Sequence, residues 1–280
     1  MSDARSSLVR RFDVKRISRE LAERIIDTVA AEEPLSIHIS YWLKESQQTE
    51  SLAVTMRTPG HDHELAVGIL LSEGIVRYPG DIAEIRTIGT DPANEVVVGL
   101  GPHVDVETWR LSRNTFVNAS CGVCGKRSRE AIVDELPNYP QDSIQFSVAA
   151  LERVSEQLSA WQSGFVQTGG LHAAALANDE GEIEQVFEDI GRHNALDKLL
   201  GWALLRERVP LSRSIVFLSS RSSFELVQKA AMAGASVLAT VGGPSSLAIE
   251  AARECGITLL GFVREGRLNI YSGDWRLHSK

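Results

Sequence analysis

The alternation of helical and extended apolar patterns beyond residue 148 constrains this chain more than any other feature. Residues 149–162 repeat apolar side chains at helical spacing and 183–187 alternate as a strand does. Helix and strand patterns then succeed one another at 193–207, 215–218, 224–233, 237–240, 245–254 and 257–262. Short strands spaced by helices bury their apolar faces as stacked layers, so residues 146–280 are expected to form a layered α/β domain.

Upstream the pattern is different. Leu35, Ile37, Ile39 and Tyr41 alternate with polar residues, and 52–56, 85–88 and 96–100 read as further short strands. After Pro59-Gly60 the run HDHELAVGILLSEGI is helical in spacing, with Asp62 and Glu64 at the end that favours negative charge. Residues 21–145 are therefore expected to form a smaller, strand-rich N-terminal domain that closes with the loop NASCGVCGKRSRE and a helix at REAIVDEL. Pro137 and Pro140 set its boundary near 145, and residues 1–20 read as a polar arm.

With 280 residues, 43% of them hydrophobic, the chain can bury a substantial core. A formal charge of -8 argues against tracking a phosphate backbone, so no nucleic-acid partner is expected, although a local basic pocket for one nucleotide fits. The basic N-terminus lacks a signal peptide's apolar run and no later run is long enough to span a bilayer. The expectation is a cytoplasmic protein without a membrane partner.

In a reducing compartment a close cysteine pair serves chemistry or metal binding more often than a disulfide. Cys121-Gly-Val-Cys124-Gly125 holds such a pair: its two glycines free the backbone, and Lys126, Arg127 and Arg129 favour thiolate over thiol. A structural zinc half-site is the alternative, but no second pair of ligands completes it and no bound metal is expected. A thioredoxin-like motif would instead open a helix directly after a strand. The third cysteine, Cys255, reads as a small hydrophobe. His61 and His63 diverge on a helix and read as solvated surface, with capping more natural there than coordination.

Glycine-rich and basic turns recur beyond residue 165. Gly169-Gly170 precede His172 at an expected helix start, where the histidine is either a hydrogen-bonded core residue or part of a site. Asp189, Arg192 and His193 surround another helix start: the backbone amides with Arg192 and His193 suit a phosphate, Asp189 suits orienting His193, and plain capping is the alternative. Ser219, Arg221 and Ser222 follow one expected strand, and the loop GGPSS follows the next. Arg264 and Arg267 flank a turn after a third. Loops at the carboxyl ends of parallel strands collect ligands, although each of these turns alone also satisfies ordinary turn chemistry.

Taken in order, MRTPGHDHELAVGILLSEGI, CGVCGK, TGGLHAAAL, FEDIGRHNALDKLLG, SSRSSFELVQKAAMAG and GFVREGR resemble the formate dehydrogenase accessory sulfurtransferase family over residues 35–272. The resemblance implies a protein that accepts persulfide sulfur from a cysteine desulfurase and supplies it to the molybdenum or tungsten bis-guanine-dinucleotide pterin cofactor of formate dehydrogenase, bound as substrate. Cys121 matches the family's persulfide cysteine and Cys124 its second cysteine. Phe262, Val263, Arg264, Glu265, Gly266 and Arg267 match its cofactor-binding segment. The apoenzyme of formate dehydrogenase and a second copy of the chain are the further partners so implied. The larger domain is expected to be cytidine-deaminase-like, with LHAAAL where a deaminase carries His-x-Glu, so that Ala174 replaces the general acid/base and zinc-dependent deamination is lost.

Overall fold

The structure is a computed structural model that describes residues 8–19, 21–44, 46–89, 94–106, 144–264 and 266–278. The chain opens with an antiparallel ribbon, β1 (Val9–Ile17) against β2 (Ala22–Ala30), where the sequence suggested a polar arm. The apolar residues of β1, Val9, Phe12, Val14 and Ile17, fall among charged ones without a period of two, so no strand pattern announces it. Next come β3 (Glu33–Leu43), β4 (Ser46–Arg57), helix α1 (Asp62–Ser72), β5 (Ile82–Ile88) and β6 (Glu95–Leu100). They form a four-stranded sheet ordered β4-β3-β6-β5 with β3 and β6 parallel.

Beyond the segment 107–143, which lies outside the described residues with the expected helix REAIVDEL, a short strand β7 (Phe146–Ser147) leads into α2 (Val148–Trp161) and α3 (Ser163–Thr168). Then follow β8 (His172–Ala177), β9 (Ile183–Asp189), α4 (Arg192–Leu205), β10 (Ile215–Leu218), α5 (Phe224–Met232), β11 (Val237–Thr240) and α6 (Ser246–Glu254). The hairpin β12 (Thr258–Arg264) and β13 (Arg267–Ser272) completes a six-stranded sheet, and β14 (Leu277–His278) returns to pair with β7.

The six-stranded sheet runs β13-β12-β11-β10-β8-β9. Strands β10, β11 and β12 are mutually parallel, β8 opposes β10, and β9 opposes β8. The start of β8 therefore lies at the same edge as the carboxyl ends of β9 to β12. Successive residues face opposite layers: Ala173, Ala175, Ile215 and Phe217 pack with Leu151 and Val154 of α2, whereas Ala174, Leu176, Val216 and Leu218 pack with Leu196 and Leu199 of α4.

His172 is thus the first residue of a strand, not of a helix as its alanine-rich surroundings suggested. Alanine favours helices in isolation, but a strand buried on both faces needs small apolar residues throughout, and that tertiary demand overrides propensity.

The two sheets do not bury separate interiors. Leu35, Ile37 and Val98 of the first sheet, Leu65 to Leu71 of α1, and Leu196, Val216 and Leu238 of the second unit belong to one apolar cluster. Helix α1 is buried around its circumference. It crosses α4 at two glycines: a Cβ on Gly68 would lie 1.8 Å from the Asp197 carbonyl oxygen, and one on Gly201 1.9 Å from that of Glu64. No side chain fits there.

Candidate functional site

The site edge is sewn together by main chain. Gly242 N donates to Ser220 O at 3.1 Å, Phe262 N to Gly242 O at 3.2 Å and Ser245 N to Ser222 O at 3.0 Å. Ser219 ties the next strand in, its Oγ accepting from Ala173 N at 2.8 Å and its N donating to Ala173 O at 3.0 Å. The 219–223 and 242–245 turns, the start of β8 and the end of β12 are thereby adjacent.

Helix α4 supplies the other wall. Its N-cap, Gly191, offers no side-chain hydrogen bond, so its first-turn amides have no side-chain cap among the described residues. Asp189 does not orient His193. Its buried carboxylate accepts from Gly191 N at 2.8 Å, Thr58 N at 3.1 Å and Asn194 Nδ2 at 3.2 Å, and pairs with Lys198 Nζ at 2.8 Å. Lys198 also donates to Thr58 O at 2.8 Å, so the 189–193 turn is fastened to the end of β4. Sequence reasoning passed over Thr58, Asn194 and Lys198, because their roles arise only when residues some 130 positions apart meet.

His193 opens α4 against the next loop, its Nε2 3.4 Å from Ser223 Oγ and 3.5 Å from Glu225 Oε2. Ser223 Oγ donates to Glu225 at 2.9 Å. Burial, and then the positive charges of Lys229 and Arg192, hold the imidazole's pKa below its usual range despite Asp197 and Glu225. His172, half-buried opposite Asp189 in the β8–β9 register, is lowered in the same way by burial and by Arg192. Both rings are neutral near pH 7 and can each donate and accept one hydrogen bond.

Two polar atoms at this edge are enclosed with no hydrogen-bond partner among the described residues: Ser222 Oγ, on a residue only 2% exposed, and Arg192 Nε. Buried polar groups are nearly always paired, so these two atoms are free to donate to an acceptor brought to the edge. Arg221 is exposed, its side chain lying over Gly242, where a Cβ would come within 2.7 Å of Arg221 Cγ.

The β12–β13 turn divides the expected 262–267 segment. Phe262 has a left-handed backbone (φ 55°) at the bulge between Gly261 and Arg264, and its ring covers Gly243, where a Cβ would lie 2.7 Å from Phe262 Cζ. The Arg267 guanidinium sits 5.7 Å from that ring's centroid. Arg264 and Arg267 pair across the hairpin. Val263, by contrast, is fully buried with α2, so its side chain serves the core. Gly266 lies in the turn with φ 69° and Glu265 lies outside the described residues.

Gly169 caps α3 in a left-handed conformation that suits glycine, and Gly170 abuts Ala30 of β2. His172, Asp189, Arg192, His193, Ser219, Arg221, Ser222 and the 262–267 turn are thus brought to one edge, with Gly169-Gly170 two residues upstream. Cys121 and Cys124 lie outside the described residues. Cys255 sits beside the core, where burial pushes its thiol up to about 11. Asp62 holds Arg57 through two 2.9 Å bonds, His61 lies edge-on to Phe187, and His63 reaches Thr87.

The described residues contain no group of three or more His, Cys, Asp or Glu side chains able to hold a metal, and no helix long and apolar enough to cross a membrane.

Comparison with known proteins covers almost the whole chain. It is 42% identical over 267 residues to the "Sulfur carrier protein FdhD" of Streptomyces avermitilis, covering 90% of this chain and 89% of the relative. It is 37% identical to the protein of that name from Saccharolobus solfataricus, covering 96% of this chain and 98% of the relative. A crystal structure of a putative formate dehydrogenase accessory protein from Desulfotalea psychrophila shares the fold with a TM-score of 0.77 at 23% identity, covering 97% of this chain and all of that one. The model of the FdhD/NarQ family matches residues 30–278. On these matches the chain belongs to the FdhD/NarQ family.

Proposed function

We propose that the protein is a sulfur carrier in formate dehydrogenase maturation, with Cys121 as the carrying thiol. The observation that carries this reading is its near-full-length identity to relatives bearing the name sulfur carrier protein, together with the Cys121-Gly-Val-Cys124 motif. The Cys121 thiolate attacks the outer sulfur of a cysteine desulfurase persulfide, forming Cys121-S-SH and releasing the donor's thiolate. The terminal sulfur then passes to the molybdenum or tungsten pterin substrate. In one version Cys124 attacks Cys121, leaving a disulfide and freeing sulfide. If Cys124→Ser matures formate dehydrogenase as wild type does while Cys121→Ser fails, that version is wrong.

The substrate's guanine nucleotides suit the edge built from His172, the 189–193 turn, the 219–223 loop and the 262–267 turn. Supporting this are the uncapped α4 amides, the partnerless Ser222 Oγ and Arg192 Nε, and the side chains of Arg221, Arg264 and Arg267. The strand order β9-β8-β10-β11-β12, with β8 reversed, supports a cytidine-deaminase-like ancestry. A deaminase's His-x-Glu opens a helix, so in this frame its counterpart is His193 and Ala195 at the start of α4, rather than His172 and Ala174. Either alignment lacks the glutamate that deamination needs.

The decisive experiment is intact-mass spectrometry after incubation with a cysteine desulfurase and cysteine. One added sulfur of about 32 Da, removed by reductant and absent from Cys121→Ala, is expected. A wild-type protein that gains no sulfur overturns the carrier mechanism.

A further inference from the structure

The β1–β2 ribbon stands apart from both large sheets. β2 is hydrogen-bonded to β1 on one side and lies against α3 on the other, leaving the outer edge of β1 unpaired among the described residues. The ribbon bears apolar side chains that no described residue covers: Phe12 is 54% exposed, Ile17 72% and Ile26 66%. A two-stranded ribbon is marginally stable alone, and an open edge offers a template for another strand.

Charge selects the occupant. The nine residues of β1 carry four basic side chains and one acidic, within a chain of net charge -8. Arg10 is neutralised by Glu33 at 2.7 Å and Asp13 by Arg24 at 3.0 Å, whereas Arg11, Lys15 and Arg16 are exposed with no ion pair among the described residues. A second copy fits this edge poorly. Antiparallel pairing about Asp13 would set Arg10 against Arg16 and Arg11 against Lys15, and like charges directly opposed destabilise a strand pair. Edge protection by charge alone accounts for the arginines but not for the uncovered Phe12, Ile17 and Ile26.

We infer that the outer edge of β1 docks an extended acidic segment of a partner protein, which adds as a third strand and sets its carboxylates against Arg11 and Lys15, which share one face of the strand. The main chain supplies the pairing, and the basic side chains of Arg11 and Lys15 supply the selectivity. The other side of the ribbon reaches the turn before β8 through Ala30 and Gly170, so a partner docked on β1 sits beside the strand that carries His172. This inference does not depend on the sulfur-transfer reading.

The test is fluorescence anisotropy of a labelled peptide of alternating glutamate and valine titrated with the full chain. Binding is expected, with at least about a tenfold loss when alternate peptide nitrogens are methylated, because methylation removes strand donors without changing charge. A similar loss is expected for the Arg11→Glu/Lys15→Glu protein, with circular dichroism checking its fold. If that variant does not fold, the methylated peptide against wild type decides. Absence of binding, or equal binding of the methylated peptide, overturns the inference. So does a concentration-dependent dimer of the wild-type chain that the charge-reversed protein cannot form.

Discussion

The Ser222 hydroxyl is enclosed without a hydrogen-bond partner among the described residues, and its removal should separate folding from binding. In Ser222→Ala the unpaired polar group is gone, so thermal stability should hold or rise slightly, while affinity for guanosine diphosphate should fall by about 1 kcal/mol, roughly fivefold. Calorimetric titration beside a melting curve reads both, and equal affinity in the two proteins would remove Ser222 from the site. His193 gives a pH signature. Its folded pKa lies below its unfolded value, so the unfolded chain takes up the proton first. The associated stability is complete above the unfolded value of about 6.5 and is lost as pH falls from there toward the folded value. The wild-type unfolding midpoint should drop between about pH 7.5 and 5.5, and His193→Gln should drop less. Cys255, with its thiol raised to about 11, stays protonated at neutral pH, so Cys255→Ser should load sulfur as wild type does in the mass assay.

At the scale of elements, the α1–α4 crossing sets the sharpest demand. Gly201→Ala pushes a methyl group into the Glu64 carbonyl of a helix buried all round, and neither backbone can retreat. Such overpacking should cost about 3 kcal/mol or more and lower the unfolding midpoint by roughly 5 °C or more in a thermal melt. Elements whose own periodicity decides their state were legible in the sequence: residues 215–218 and 237–240 are the strands expected, and α2, α4, α5 and α6 fall within two residues of expectation at each end. β8 was not legible, because a run of alanines between two glycines and an asparagine has no period and becomes a strand only between β9 and β10. Nor was β1, whose apolar residues keep no period of two. At the site, the loops after β10, β11 and β12 were readable from their glycines and serines. The fastening of the 189–193 turn by Thr58 and Lys198 was not, since no local pattern announces a contact across the chain.

The whole molecule should melt as one body, because a single apolar cluster takes side chains from both large sheets and both partners of the helix crossing. Differential scanning calorimetry is expected to give one transition, and two resolved peaks would mean the sheets unfold independently. The Lys198–Asp189 pair, with side chains 1% and 0% exposed, lies on one side of the same junction, and both residues bond across it to Thr58. Lys198→Met strands a buried carboxylate and should cost about 3–5 kcal/mol in chemical denaturation, partly recovered by adding Asp189→Asn. The edge stitched by Gly242, Ser220, Phe262 and Ser245 carries a different consequence, an evolutionary one. Because the bonds that shape it run between peptide groups, most of the residues along it can be exchanged while its outline persists. Divergence is therefore free to change which side chains the edge presents without rebuilding the frame that presents them.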